Sequence, residues 1–256
     1  MPAILLSDPK RSSLVSSCVK LSIPLLVLHD PDPSGSIAGM KMPPSVRAVD
    51  AFEAVPTLAL LMQPGSPIDA FYAARGTIEP FEGNMQRHGI SSAKLLVRKV
   101  AAMAYAQALA RIEGTRIVLW ADADVEFIKL PDDRFLQFVG GRDVTYTPFE
   151  PGQAPPRIER GLLGVSWRVE SGLMAFSASD NAIGLVSSAL DLYEGGLLRI
   201  LRACRLLELR NHSCPDWLTR NLYMNDVYVW KLLLHAAALA ARDGVEALPP
   251  FVDAEL

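Results

Sequence analysis

The sequence predicts an α/β fold, with a mostly parallel central sheet flanked by helices. Two observations carry that prediction. The first thirty residues place a helical stretch between two short apolar runs. At mid-chain, the fully apolar run Ile117-Val118-Leu119-Trp120-Ala121 stops abruptly at Asp122-Ala123-Asp124. Short apolar runs of this kind fit strands buried on both faces, and a helical crossover between them fits parallel pairing.

The elements follow in order. Residues 3–6 form the first strand, ending at Ser7-Asp8-Pro9. Residues 11–20 carry Leu14, Val15, Cys18 and Val19 at helical spacing, and residues 23–28 form a second strand that stops at His29-Asp30-Pro31. Ligands in parallel sheets bind beyond the carboxyl ends of the strands, where Ser7, Asp8, His29 and Asp30 fall. Residues 31–92 are punctuated by Pro31, Pro33, Pro43-Pro44, Pro64-Gly65 and Pro67, and read as loops with one strand expected at 57–62. Residues 94–111 read as a helix with Leu96, Val100 and Met103 on one face, ended by Gly114. Ile117–Ala121 is the central strand, and 143–147 and 173–176 are further strands. Residues 180–193 form a helix capped by Ser179 and closed by Gly195-Gly196. A last helix runs over 225–242. No linker divides the chain.

Composition bounds the class of protein. Of 256 residues, 50% are apolar and 21% charged, which excludes a disordered tail, a collagen-like fibre and a heptad rod. A net charge of −3 without a dense Lys/Arg stripe argues against nucleic acid as a partner. Three scattered cysteines are too few for a disulfide framework or a Cys₄ zinc site, and read as reduced thiols. No apolar run reaches the roughly 18 residues of a membrane helix. The opening MPAILLSDPKR lacks the layout of a secretory signal. A cytoplasmic protein is expected, either free or peripheral to a membrane.

The chemistry concentrates at IVLWADADVEF. Asp122 and Asp124 follow a buried strand at spacing i, i+2, which in extended chain puts both carboxylates on one side. Carboxylates so close repel unless a cation or proton lies between them. Oxygen ligands suit Mg²⁺ or Mn²⁺, which complete their shells with water and phosphate. A divalent ion bridging these carboxylates to a diphosphate would neutralise charge on a phosphate leaving group. The plainer alternative is two solvated aspartates after a strand.

A strand followed by Asp-x-Asp, after about a hundred residues of α/β chain, resembles the nucleotide-sugar glycosyltransferases of the GT-A fold. AILLSDPKRSSLVSSCVKLSIPLLVLHD resembles the nucleoside-holding βαβ unit of that fold, and KLLVRKV the basic helix ahead of the motif. VESGLMAFS resembles the Asn/Glu-Ser-Gly segment of family 8 and related retaining transferases, and MNDVYVWKLLLH resembles their acidic segment. The resemblance implies one GT-A-like, Rossmann-like domain over 1–256. Residues 1–125 would be its nucleotide-binding part and 126–256 its acceptor and donor-sugar part. It implies a metal-dependent hexosyltransferase using Mn²⁺ or Mg²⁺, a nucleotide-diphosphate sugar donor (a UDP-sugar foremost) and a hydroxyl acceptor on a sugar, lipid or protein.

Position by position, the resemblance implies that Asp122 contacts the donor ribose, the metal or both, and that Asp124 is a metal ligand. Ser7 and Asp8 would lie near the nucleoside, and Lys94 or Arg98 near the base or diphosphate. Glu170, Ser171 and Gly172 would line the donor-sugar or acceptor pocket. Asp226 would lie near the anomeric carbon or the acceptor hydroxyl, with Asp226 and Glu170 the catalytic candidates. Two departures stand out. Many relatives supply a third metal ligand from a histidine near the C-terminus, whereas this sequence ends PPFVDAEL, and His29, His88, His212 and His235 all stand in other contexts. Glu170 replaces the asparagine commonest in family 8.

Structural explanations compete at each position. Lys94, Arg98 and Lys99 also suit a solvated helix face. Asp226 suits the start of a helix, His212 and Cys214 are too few for a metal site, GLLGVSW lacks the Lys-Ser/Thr of a phosphate loop, and Trp120 suits strand packing. Two other functions compete with sugar transfer. One is a nucleotide-sugar-binding module of the same fold without turnover. The other is a haloacid-dehalogenase-like phosphatase, which Glu126 and the mid-chain position of the motif disfavour.

Overall fold

The computed structural model describes residues 2–6, 13–31, 42–75, 90–122, 125–148, 169–210, 229–230 and 233. The elements are β1 Pro2–Leu6, α1 Ser13–Lys20, β2 Leu25–His29, β3 Val46–Asp50, α2 Ala51–Ala54, α3 Pro56–Met62, α4 Pro67–Arg75 and α5 Ile90–Glu113. They continue with β4 Ile117–Ala121, α6 Asp133–Gly140, β5 Val144–Pro148, β6 Val169–Ser177, α7 Asp180–Asp191, a π turn Leu192–Gly196 and α8 Leu197–Leu209. No helix among the described residues is long and apolar enough to cross a membrane.

The α/β class is observed. Among the described residues, six strands form one sheet in the order β3-β2-β1-β4-β6-β5. β3, β2, β1 and β4 run parallel, while β6 is antiparallel to both β4 and β5. Alternation along the strands divides the core between two faces. Leu26, Leu28, Val118, Trp120, Met174 and Phe176 pack with α2–α5, α7 and α8. Leu25 and Val27 face α1 on the opposite side, and Leu119 and Ala175 face α6. α5 is buried over most of its circumference because it lies between the sheet, α3, α4 and α7. Trp230, fully buried, brings its ring centroid 5.8 Å from that of Phe176.

The structure corrects the reading of 31–92. Residues 57–62 are helical, not extended. Pro56 occupies the first turn of α3, where its missing N–H costs nothing. Leu58 and Leu61 are buried while Leu60 is 61% exposed, a helical and not an alternating pattern. β3 is an outer strand with Val46 alone buried, so it lacks the apolar run that marks β2 and β4. Gly195-Gly196 does not close the helical region. Gly195 takes φ 136°, and the chain passes through the π turn directly into α8. Ser179 does cap α7, its hydroxyl accepting from the Ala182 N–H. The helix expected at 225–242 lies outside the described residues except at 229–230 and 233, which are helical.

Candidate functional site

The carboxyl ends of β2, β3 and β4 each carry an aspartate, and each is held differently. Asp50 caps α2, accepting from the N–H groups of Phe52 and Glu53. Asp30 accepts from Arg98 Nε at 2.9 Å. Asp122 is held from two sides. Lys99 Nζ lies 2.9 Å from Oδ1 and 3.3 Å from Oδ2, and Trp120 Nε1 donates to Oδ1 at 2.9 Å. The same ammonium stands 5.5 Å from the centroid of the Trp120 ring.

Local sequence explains this arrangement. Positions i and i+2 of an extended chain point to one side, so the indole and the carboxylate meet. Lys99 reaches them because it lies in the buried stripe of α5 with Ala102, Met103, Ala106 and Ala110. The lysine side chain is 9% exposed and the aspartate 40%, so one partner is anchored in the core and the other opens to solvent.

β6 brings its N-terminal end alongside. Ala121 is opposite Leu173, and the Asp122 N–H donates to the Gly172 carbonyl at 2.8 Å. Glu170 and Ser171 precede Gly172 in β6, so the Glu-Ser-Gly segment runs beside the end of β4. The β5–β6 register shifts here: Tyr146 is opposite Met174, but Thr147 is opposite Glu170, so residues 171–173 bow away from β5. A Cβ placed on Gly172 would lie 3.6 Å from Asp122 Oδ2. The glycine therefore leaves open the space beside that oxygen.

The three basic residues in the first half of α5, Lys94, Arg98 and Lys99, separate clearly. Lys94 is engaged away from the strand ends, donating to the carbonyls of Met62 and Gln63 and pairing with Asp69 Oδ1 at 3.0 Å. This clamp ties α3 and α4 to α5. Burial pushes the Asp69 carboxyl up, but the hydrogen bond and charge of Lys94, with hydrogen bonds from Ser66, outweigh it and hold the group below its ordinary value. Arg98 stands at the strand ends against Asp30. Lys99, which the sequence reading grouped with the solvated face, is the one that meets Asp122.

Ser7, Asp8, Asp124 and Asp226 lie outside the described residues. Among those described, no three or more His, Cys, Asp or Glu side chains gather where they could share a metal ion. Burial pushes the Cys18 thiol up to about 11, which keeps it protonated and unreactive.

The described site thus offers a fixed carboxylate with one saturated oxygen and one more open oxygen, a buried ammonium beside it, and an adjacent glycine. Such a set can bind a hard cation through Oδ2. A comparison with protein-family models finds none that matches the chain, and a comparison with curated proteins finds no match.

Proposed function

We propose that the chain is a metal-dependent glycosyltransferase that moves a sugar from a nucleotide-diphosphate sugar, a UDP-sugar foremost, to a hydroxyl acceptor. The observation that carries this reading is the side-by-side placement of Asp122 and the Glu-Ser-Gly segment at the carboxyl end of β4. The sheet order, with four parallel strands and then an antiparallel β6, supports a GT-A-like domain.

The donor chemistry at Asp122 fits a divalent ion. Oδ1 already accepts from two donors, whereas among the described residues Oδ2 has only the longer 3.3 Å contact, with the glycine beside it. Asp122 Oδ2 and Asp124 would hold Mn²⁺ or Mg²⁺, which would supply charge neutralisation for the diphosphate. Lys99 keeps the Asp122 carboxylate oriented and adds positive charge on the side where a diphosphate would lie. Ser7 and Asp8 are assigned to the nucleoside, with Arg98 beside the β2 end, and Ser171 and Gly172 to the donor sugar. Asp226 would take the acceptor proton if the reaction inverts configuration. Glu170 or Asp226 would serve the other sugar face if it retains.

A second reading has its own observation. Lys99 already balances the charge of Asp122, which favours nucleotide-sugar binding without turnover. Thermal-shift titration of the full chain with UDP and UDP-sugars, with and without Mn²⁺, tests the first reading when joined to an assay of donor hydrolysis. Mn²⁺-dependent UDP stabilisation with hydrolysis is expected. Stabilisation without hydrolysis selects the binding module, and no nucleotide response removes both.

A further inference from the structure

We propose that the outer face of α8 is a docking surface for an anionic lipid bilayer. α8 buries Leu197, Leu198, Leu201 and Cys204 against the body of the protein. At 3.6 residues per turn, the opposite side carries Arg199, Arg202, Leu206, Leu209 and Arg210. All five are exposed; Leu206 is 58% and Leu209 82% accessible. The single acid of the helix, Glu208, lies four and seven residues beyond Cys204 and Leu201, on the side away from that stripe. Although the net charge of the chain is −3, the residues that α8 itself supplies to this face include three arginines and no carboxylate.

The interleaving selects the partner. Guanidinium groups meet lipid phosphates while leucines enter the acyl boundary, so a bilayer satisfies both components of the stripe. A nucleic-acid backbone would pair with the arginines and leave both leucines in water. A second copy would set arginine against arginine across a two-fold axis. Docking through α8 makes no demand on the end of β4.

The test is co-sedimentation of the full chain with vesicles of phosphatidylcholine alone or mixed with phosphatidylserine. The expected result is binding to the mixed vesicles alone, weakening as salt rises. Attraction near an anionic surface amounts to about a factor of five per arginine, so Arg199→Gln with Arg202→Gln should reduce partitioning about 30-fold. Arg199→Lys with Arg202→Lys should retain it, and Leu206→Ser with Leu209→Ser should also reduce it. These side chains are exposed, so circular dichroism and Tm should match the parent. The proposal fails if mixed vesicles do not bind, if the glutamine variant binds like the parent, or if a short DNA duplex competes the protein off them.

Discussion

Lys99 and Asp122 stand 2.9 Å apart although 23 residues separate them in the chain. The pair joins α5, the longest helix among the described residues, to the end of a central strand, and Trp120 completes it by donating its N–H to the same carboxylate oxygen. The unequal exposure of the two partners matters. An aspartate that loses the lysine can hydrate, whereas a lysine seated in the α5 stripe has far less access to water.

That asymmetry sets the first prediction. Asp122→Ala removes an acceptor from Lys99 and the acceptor of the Trp120 N–H, and should cost about 1–3 kcal/mol. Lys99→Met keeps the apolar stripe and should cost about 1 kcal/mol or less. Urea denaturation of the two variants and their double mutant checks this. Equal costs, or strictly additive ones, would contradict the coupling.

Gly172→Ala separates binding from folding. Its Cβ would meet Asp122 Oδ2 at ordinary contact distance, so stability should stay within about 1 kcal/mol of the parent. Nucleotide-diphosphate affinity should fall about ten-fold or more, because the methyl group fills the space beside the more open oxygen. Calorimetric titration with UDP and Mn²⁺ measures it, and an unchanged affinity would argue that ligand approaches from elsewhere.

Asp124→Asn should abolish Mn²⁺-dependent protection by UDP in a melting assay while leaving the melting point of the free protein intact. Asp226→Asn should slow sugar transfer more than it weakens donor binding. Full Mn²⁺-dependent protection of the first variant, or parental transfer by the second, would remove that residue from the mechanism.

Two carboxyls should respond to pH with opposite sign. Asp69 is held below its ordinary value, so the Lys94 clamp contributes stability above the unfolded Asp pKa of about 3.9 and loses it as pH falls through the lower folded value. Glu194 is pushed up by burial and then by the charge of Asp191, with a Thr57 hydrogen bond partly opposing them. Its folded form favours the proton, so its contribution is present below the unfolded Glu pKa of about 4.3 and is lost as pH rises through the folded value. At neutral pH, Asp69→Asn should lower stability and Glu194→Gln should raise it. Urea midpoints from roughly pH 3 to pH 8 would show changes of opposite sign.

The glycines of the α7–α8 region should also diverge. A Cβ on Gly196 would lie 3.0 Å from Leu192 Cδ2 and 3.1 Å from the Asp191 carbonyl oxygen, and the backbone atom cannot yield as a side-chain tip can. Gly196→Ala should cost about 1–3 kcal/mol. Gly184, within α7, has open space at its Cβ position, so Gly184→Ala should stabilise by about 0.5–1 kcal/mol. Matching Tm shifts for the two variants would contradict this account of the π turn.

Legibility in the sequence followed how local each cause is. β4 was plain because five apolar residues stop at an aspartate, and burial on both faces demands that pattern. The same two-residue rule that groups Asp122 with Asp124 also groups Trp120 with Asp122, although a tryptophan in an apolar run reads first as packing. Lys94 and Lys99 look alike in a helical sequence. What divides them is Asp69 on α4, brought to Lys94 by tertiary packing, and the unbroken stripe from Lys99 to Ala110 that marks Lys99 as inward-facing. The run PTLALLM suits helix or strand by apolarity alone, and Pro56 is the start signal that decides for helix. α8 is hidden in the sequence because two glycines resemble a stop, whereas here they form a bend between consecutive helices.

The indole of Trp120 ends on the carboxylate that the proposed chemistry depends on. A change of charge at that carboxylate alters the electric field across the ring. Trp120 is thereby an unlabelled optical gauge of this strand terminus, and its share of the emission from four tryptophans would change with a charge bound there.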